Sequence, residues 1–259
     1  MQEKLQASLL GVDDYFSISW SEFLKNIQAF SILSLIISLP TTLLVFVIPL
    51  FADSADPSDL DNLSGLFLFY IIVTLVLSSL VGLSIPKIIE RSICDRKLGA
   101  FAAIQKSFLQ LFPFLIVSIF VSIVIGVGFI LLIVPGVWLA VHMSYIVHAI
   151  ALRGCGLNSL NYSYSLVRGR WWAVFGRNLL IFLYLLGLFL VGFFILGAIF
   201  FIIGIVGGII GLLGVGIIAQ LGSNLIGSLI GCYINTIYTI LFLNLDYTRH
   251  PIHNSLPEV

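Results

Sequence analysis

Asn161–Asn178, with the sequence NYSYSLVRGRWWAVFGRN, is the longest polar, basic and aromatic interval in this chain. Long apolar runs lie on both sides of it. Cations and tryptophans between apolar runs are typical of a loop at a membrane surface, where they meet lipid headgroups. The stretch therefore predicts a polytopic membrane protein, and it is the reference point for orientation and internal repeats.

The composition of the whole chain supports this class. The 259 residues are 60% hydrophobic and 9% charged, whereas about a quarter of the residues of a soluble domain are charged. The mean hydropathy is +1.16. Twelve Lys and Arg balance twelve Asp and Glu, so the charge gives no indication of a nucleic-acid partner. We predict an all-α, polytopic membrane helical bundle.

Six membrane spans follow from the apolar runs. Residues 179–243 contain no charged residue and would be about 100 Å long as one helix, roughly three times the bilayer core. This stretch must fold back, and Gly204–Gly216 (GIVGGIIGLLGVG) is the predicted turn. The predicted organisation is an interfacial segment over 1–25, a membrane domain over 26–243 and a tail over 244–259. The first four spans are predicted at 26–51, 65–85, 111–134 and 137–152.

Prolines mark several of the predicted boundaries. Pro40 is expected to kink the first span, and Pro86 to end the second, which is followed by a basic loop over 87–110. Pro113 would lie in the first turn of the third span, where proline is tolerated. Pro135-Gly136 is predicted to form a tight turn before the fourth span.

The lysines and arginines determine the predicted orientation. With six spans, all twelve fall on one side, and the opposite loop carries Asp53, Asp56, Asp59 and Asp61 without a cation. An excess of Lys and Arg marks the cytoplasmic side. Both termini are therefore expected to be cytoplasmic, in a bacterial cytoplasmic or thylakoid-type membrane.

A short motif precedes the first and last pairs of spans. W-x-x-F-x-[KR]-N occurs at Trp20–Asn26 and again at Trp172–Asn178, and Phe108-x-x-Leu111 is a degenerate copy before the middle pair. All three lie on the basic side, which favours three parallel repeats. Each repeat would be an antiparallel hairpin with an interfacial amphipathic segment before it, although aromatics and cations are also common at interfaces by chance.

Two further stretches carry a family resemblance. Ile133–Val141 (IVPGVWLAV) and Ser165–Trp172 (SLVRGRWW) resemble the membrane domain of the glycerophosphoryl diester phosphodiesterase type and related six-span bacterial membrane proteins. The match covers roughly Phe101–Leu180. It implies an accessory membrane module and not the phosphodiester reaction, which in those proteins belongs to a separate soluble domain. His142 stands where relatives tend to carry arginine, so a lipid-phosphate contact is not carried over to it.

Two sets of residues are candidate sites, and each has a simpler interpretation. Guanidinium groups bind phosphate and indoles settle among headgroups, but the first set also fits a topology signal with an aromatic belt. Small residues allow close helix approach and amides bond between helices, so the second set fits helix packing, an oligomer face or a polar pathway. The lipid-headgroup set is Arg168, Arg170, Trp171, Trp172 and Arg177; the packing set is Ser223, Asn224, Gly227, Gly231 and Asn235.

Metal and catalytic sites have little support in the sequence. His142 and His148 are six apart and point to different faces of a helix, whereas metal pairs on a helix are four apart. The four aspartates lack the loop pattern of a calcium site. No catalytic motif is found, so we expect no enzyme activity and no cofactor.

These observations favour a non-catalytic integral membrane module that scaffolds or supports a partner protein or the lipid environment. The alternative is a channel or facilitator for a small neutral solute, through the polar face of the last span. A lipid-modifying enzyme would require a convergent polar cluster at the cytoplasmic interface. Membrane lipids are the expected partners, with a homo-oligomer or a membrane-protein partner left open.

Overall fold

The protein is an all-α bundle. In the computed structural model the described residues are Leu5, 10–52 and 57–249, and for 43–52, 57–64, 66, 193, 196 and 199–221 only the backbone is described. A short 3₁₀ turn covers Gly156–Asn158. The helices are α1 (Val12–Lys25), α2 (Ile27–Ala52), α3 (Pro57–Ile93), α4 (Ala100–Leu131), α5 (Ile133–Met143), α6 (Ile146–Arg153), α7 (Ser159–Val167) and α8 (Trp171–Arg249).

The helices form the predicted polytopic membrane bundle. Within the described residues, five stretches are long and apolar enough to cross a membrane, and α1 with α2, bent by 80° at their junction, can count as a sixth. The hairpins are α2 with α3, α4 with α5–α6, and the two ends of α8. The five stretches are Phe67–Ile93, Ala100–Leu131, Ile133–Arg153, Trp171–Gly192 and Gly222–Arg249.

Helix α8 reverses its direction. Its backbone is helical over 79 residues, which would measure about 120 Å if straight. However, the Tyr145 hydroxyl donates to Asn178 (3.4 Å), and the Tyr145 ring lies 6.3 Å from that of Phe242. Both ends of α8 therefore pack against the same residue, and the predicted fold-back is confirmed. We call Trp171–Gly192 the first limb and Gly222–Arg249 the second limb. The predicted turn Gly204–Gly216 lies between them, and its backbone is helical instead of forming a loop.

Pro86 does not end its helix, contrary to the sequence prediction. Helix α3 continues through Pro86 to Ile93. A proline cannot donate to the carbonyl four residues back, and here that carbonyl belongs to Gly82. The Asn235 side-chain amide donates to it at 3.2 Å. A partner from the second limb thus satisfies the carbonyl that the proline leaves free, which allows the helix to continue.

The first basic loop is also shorter than predicted. Because α3 ends at Ile93 and α4 begins at Ala100, the loop covers 94–99 instead of 87–110. Pro113 consequently lies inside α4 and not in its first turn. Cations such as Lys87 and Lys106 stand on helices, where Lys87 donates to the Lys106 carbonyl at 2.9 Å.

The turn between α4 and α5 falls at Leu132, not at Pro135-Gly136. Leu132 is extended (φ −163°, ψ 143°), and Pro135 lies in the first turn of α5. Gly136 instead allows close approach, because a Cβ there would lie 2.7 Å from the Phe129 ring and 2.9 Å from its backbone nitrogen. A Cβ on Gly128 would lie 3.2 Å from the Gly136 Cα. The two glycines let α4 and α5 meet backbone to backbone.

Gly136→Ala is expected to destabilise this hairpin by about 1–3 kcal/mol, the usual cost of an overpacked contact. The Phe129 backbone must move to make room for the new methyl group. The measurement is the thermal unfolding midpoint of the detergent-solubilised protein. Gly126→Ala is the matched control, because its Cβ would meet nothing within 4 Å. Equal midpoints for the two variants would show that the close contact is not needed.

Helix α1 lies across one end of the bundle. Tyr15 and Phe23 are buried, whereas Trp20 is 52% exposed. The aromatics of this helix therefore mostly pack into the protein. The second copy of the repeat motif differs in structure, since Trp172 and its neighbours form the first turns of α8 without a bend.

The predicted tail begins later than residue 244. Helix α8 runs to Arg249, and Asn244, Asp246 and Tyr247 are each at most 2% exposed. These residues therefore belong to the core of the bundle. Residues 250–259 lie outside the described part of the chain.

Candidate functional site

The described lysines and arginines gather at one end of the bundle, which we call the basic end. Its contacts join the C-terminal ends of four helices. Lys25 at the end of α1 donates to the Ser92 carbonyl on α3 (3.1 Å). Arg153 at the end of α6 links Glu90 on α3 to Asp246 on α8. The charged residues that the sequence places on one side of the membrane are thus also together in space.

Arg153 is the centre of the largest charged group, the arginine cluster of Glu90, Arg153, Tyr162 and Asp246. Its Nε and Nη2 donate to one Asp246 oxygen at 2.9 and 2.5 Å, and its Nη1 donates to Glu90 at 2.8 Å. The Asp246 side chain is 3% exposed. Charge-assisted bonds of this kind are among the strongest in proteins, so the cluster fixes α3, α6 and α8 relative to one another.

Tyr162 adds α7 to the arginine cluster. Its hydroxyl donates to the second oxygen of Asp246. Burial raises the pKa of the Tyr162 phenol well above its ordinary value, and the hydrogen-bonded Asp246 carboxylate raises it further. The phenol therefore stays protonated and remains a donor. Both Asp246 oxygens accept hydrogen bonds from other residues. This arrangement fits a structural role for Asp246 better than a role as a general base.

Glu22 forms a second cluster between α1 and α3. Its side chain is 2% exposed, accepts a hydrogen bond from the Ser92 hydroxyl at 2.5 Å and lies 3.6 Å from the Lys25 ammonium. Asn26, at the bend between α1 and α2, donates to the same hydroxyl at 2.9 Å. The cluster holds the bend in place, because Glu22, before the bend, and Asn26, at the bend, both bond to the hydroxyl of Ser92.

Asn244 forms a third polar centre, which holds the start of the described chain. Its Oδ1 accepts from the Tyr15 hydroxyl (2.6 Å) and the Leu10 backbone N–H (3.3 Å). Its Nδ2 donates to the Leu5 carbonyl at 2.9 Å. A single buried amide on the second limb thus bonds to three residues that lie before or within α1.

The structure divides the predicted lipid-headgroup residues into two groups. Arg168 and Trp172 are exposed, and Trp172 is 78% accessible. The other three are engaged within the protein: Arg170 donates to Thr248 (3.0 Å), Trp171 stacks on Phe175 (5.0 Å), and Arg177 donates to the Ala173 and Leu10 carbonyls (3.2 and 3.3 Å). Of this set, the exposed pair is free to meet lipid.

The predicted packing residues of the second limb face different neighbours. Asn224 donates to Thr41 and Thr42 on α2 (3.3 and 3.4 Å), whereas Asn235 donates to the Gly82 carbonyl on α3. Ser223 is half-buried. A Cβ on Gly227 or Gly231 would meet nothing within 4 Å, so these glycines do not form a close helix contact within this chain.

The two histidines lie in different surroundings, as their spacing predicts. His142 Nδ1 bonds the Trp138 carbonyl (2.9 Å), and its ring stacks on Tyr164 (4.8 Å). His148 stacks on Phe242 (5.7 Å) and lines a cleft of about 790 Å³ between α5–α6 and the two limbs of α8. Over the residues that the structure describes, no group of three or more Asp, Glu, His and Cys could hold a metal ion. Of the four aspartates predicted to lie in the opposite loop, Asp53 and Asp56 lie outside the described residues, whereas Asp59 and Asp61 lie in the first turns of α3 and not in a loop.

Comparison with protein-family models, with curated proteins and with solved structures gave no match. The resemblance to the phosphodiesterase-associated membrane domain therefore stays a prediction.

Sequence reasoning did not find the three polar clusters. Glu90, Arg153 and Asp246 are separated by 63 and 93 residues, and each looked like an ordinary charge near a helix end. One signal was available, because Glu90 and Asp246 are acids on a side where cations dominate. Acids that lie among cations at span ends are reasonable candidates for ion pairs.

Proposed function

We propose that this protein is a non-catalytic integral membrane module that supports its lipid environment and binds anionic headgroups at the basic end. The observation that carries the proposal is an excess of positive charge there. The residues whose side chains are described include eleven Lys and Arg and six Asp and Glu, a difference of five. Each Lys or Arg near an anionic membrane surface contributes about 1 kcal/mol of attraction.

Three exposed cations are available for this binding: Arg96, Lys97 and Arg168. They carry no side-chain hydrogen bond or ion pair to any residue that the structure describes. Trp20 and Trp172 are exposed at the same end, and indoles prefer the headgroup region. The more buried cations of the basic end, by contrast, hold the helices together.

The proposal includes an orientation. The basic end would face the cytoplasm of a bacterial cell, or the equivalent side of a thylakoid-type membrane, because Lys and Arg accumulate on that side. The anionic leaflet also faces the cytoplasm. The family resemblance supports the same picture, since it implies an accessory module. A homo-oligomer or a membrane-protein partner is compatible with the open Gly227 and Gly231 positions.

The competing proposal is a facilitator for a small neutral solute. It would need a continuous polar path along the second limb. Asn224 and Asn235 donate to different helices, which argues against one shared path through these two residues. Solute flux into liposomes that contain the protein would favour this alternative.

Neutralising the three free cations is expected to reduce anionic lipid binding. The variant R96Q/K97Q/R168Q would be placed in nanodiscs of equal phosphatidylglycerol and phosphatidylcholine. Native mass spectrometry would then count the lipids that each protein retains. We expect the wild type to retain an excess of phosphatidylglycerol, and the variant to lose most of that excess.

The matched control is D53N/D56N/D59N, which changes three charges in the acidic stretch between α2 and the first turn of α3. It should retain phosphatidylglycerol as the wild type does. If the cation variant and the wild type retain the same excess, headgroup binding at the basic end is wrong.

A further inference from the structure

The cleft between α5–α6 and the two limbs of α8 is large enough to hold a small amphiphile. Its volume is about 790 Å³, within the 300–1,000 Å³ that is usual for small-molecule sites. It runs from Phe175 and Asn178 in the first limb to Phe129 near the turn between α4 and α5. It therefore extends along the membrane-spanning direction, as a lipid chain does.

The cleft has apolar walls and polar groups that belong to a few residues. Most of its lining is aliphatic or aromatic, and within the described part of the chain no charged side chain lines it. The polar side chains are Ser144, His148, Asn178, Asn235 and Tyr238. Such a surface matches an amphiphile with a hydrocarbon body and a head that forms hydrogen bonds.

Among the polar side chains that line the cleft, His148 gives the clearest indication of a bound ligand. Its residue is 5% exposed, and neither ring nitrogen makes a hydrogen bond of good geometry to a described residue, although Asn235 lies near the ring. A buried polar group without a partner costs about 1–3 kcal/mol, so such groups are rare and need an explanation. An occupant of the cleft with a hydroxyl or carbonyl group would supply the missing bond.

The position of His148 indicates where the head would lie. It precedes Arg153 by five residues on α6, which is about 7.5 Å along the helix. The arginine cluster marks the basic end, so His148 stands slightly deeper in the membrane. A lipid with its head at His148 and its chain toward Phe129 would lie in the orientation of the surrounding bilayer.

The absence of charged side chains among the described lining residues indicates the kind of lipid head that the cleft could bind. A phosphate placed there would be desolvated without a lining cation to pair with, which is strongly unfavourable. An uncharged head with a hydroxyl or ester group carries no such cost. We propose that this cleft binds a membrane lipid of the diacylglycerol type, with its uncharged head hydrogen-bonded to His148. This site is separate from the headgroup surface of the basic end and does not depend on it.

The test is native mass spectrometry of the protein from nanodiscs that contain dioleoylglycerol. The wild type is expected to retain one dioleoylglycerol. H148F removes the unpaired nitrogens but keeps an aromatic ring, and it should weaken retention about tenfold, the upper range for one hydrogen bond. G231L places a side chain in the cleft, where a Cβ meets nothing within 4 Å, and it should abolish retention.

H142F and G227L are the controls, because they make the same changes outside the cleft lining. Both should retain dioleoylglycerol as the wild type does. H148F should also leave the thermal midpoint of the lipid-free protein unchanged or higher, which separates lost binding from lost folding. Wild-type retention by both H148F and G231L would overturn the proposal. So would displacement of dioleoylglycerol by an equal amount of phosphatidylglycerol.

Discussion

Arg153→Met is expected to lower the free energy of unfolding by about 3–5 kcal/mol, the usual cost of removing one partner from a buried ion pair. Asp246 would keep its Tyr162 bond but lose both guanidinium bonds, and Glu90 would lose its cation. With Asp246 only 3% exposed, water cannot replace them. The measurement is equilibrium unfolding of the detergent-solubilised protein in increasing SDS.

Arg168→Met is the control for this variant, because Arg168 is an exposed cation at the same end of the bundle. It should change the free energy of unfolding by no more than about 0.5 kcal/mol, as most surface substitutions do. Arg153→Lys should lie between the two, since lysine keeps the charge but not the planar fork. If Arg153→Met and Arg168→Met are equally stable, the arginine cluster does not hold the bundle.

Asn244→Leu should detach α1 from the bundle and lower the free energy of unfolding by about 2–4 kcal/mol. The change removes the acceptor of Tyr15 and Leu10 and the donor to Leu5. These buried groups would then lack partners, at about 1–3 kcal/mol for each one that water cannot reach. Hydrogen exchange measured by mass spectrometry should show faster exchange over residues 12–25.

The control for Asn244 is Asn161→Leu, the same substitution at an exposed position on α7. It should leave exchange over 12–25 as it is in the wild type. Unchanged protection of α1 in Asn244→Leu would mean that the packing of residues such as Tyr15 and Phe23 holds this helix without the amide.

The sequence was sufficient to predict the helices but not their ends. Apolar runs and the length of 179–243 predicted six helical crossings and the reversal of α8, because the bilayer limits the length of each span. Helix ends depended on residues distant in sequence. From the sequence alone, Pro86 predicts the end of a helix. In the structure Asn235, 149 residues later, donates to the Gly82 carbonyl, and the helix continues. Similarly, Gly136 predicts a turn from the sequence alone, whereas in the structure it lies in close contact with Phe129.

For the candidate sites too, the sequence predicted the general feature but not the residues that form it. The sequence predicted a basic and aromatic surface, and Arg168 and Trp172 do lie exposed at the basic end. It could not distinguish them from Arg170 and Arg177, which occur in the same motif but bond to Thr248 and Leu10. Local composition gives the type of surface, whereas partners elsewhere in the chain decide which of its side chains remain free.

The proposed function includes an orientation in which the basic end faces the cytoplasm, and thiol labelling in intact bacterial cells tests that orientation most directly. Cys94, Cys155 and Cys232 are free thiols and would first be replaced by serine. Single cysteines would then be placed at Lys97 and Arg168 in the basic end and at Asn62 near the start of α3, at the opposite end of the bundle. An impermeant maleimide should label position 62 in intact cells, and positions 97 and 168 only after permeabilisation. Labelling of positions 97 and 168 in intact cells would contradict the proposed orientation.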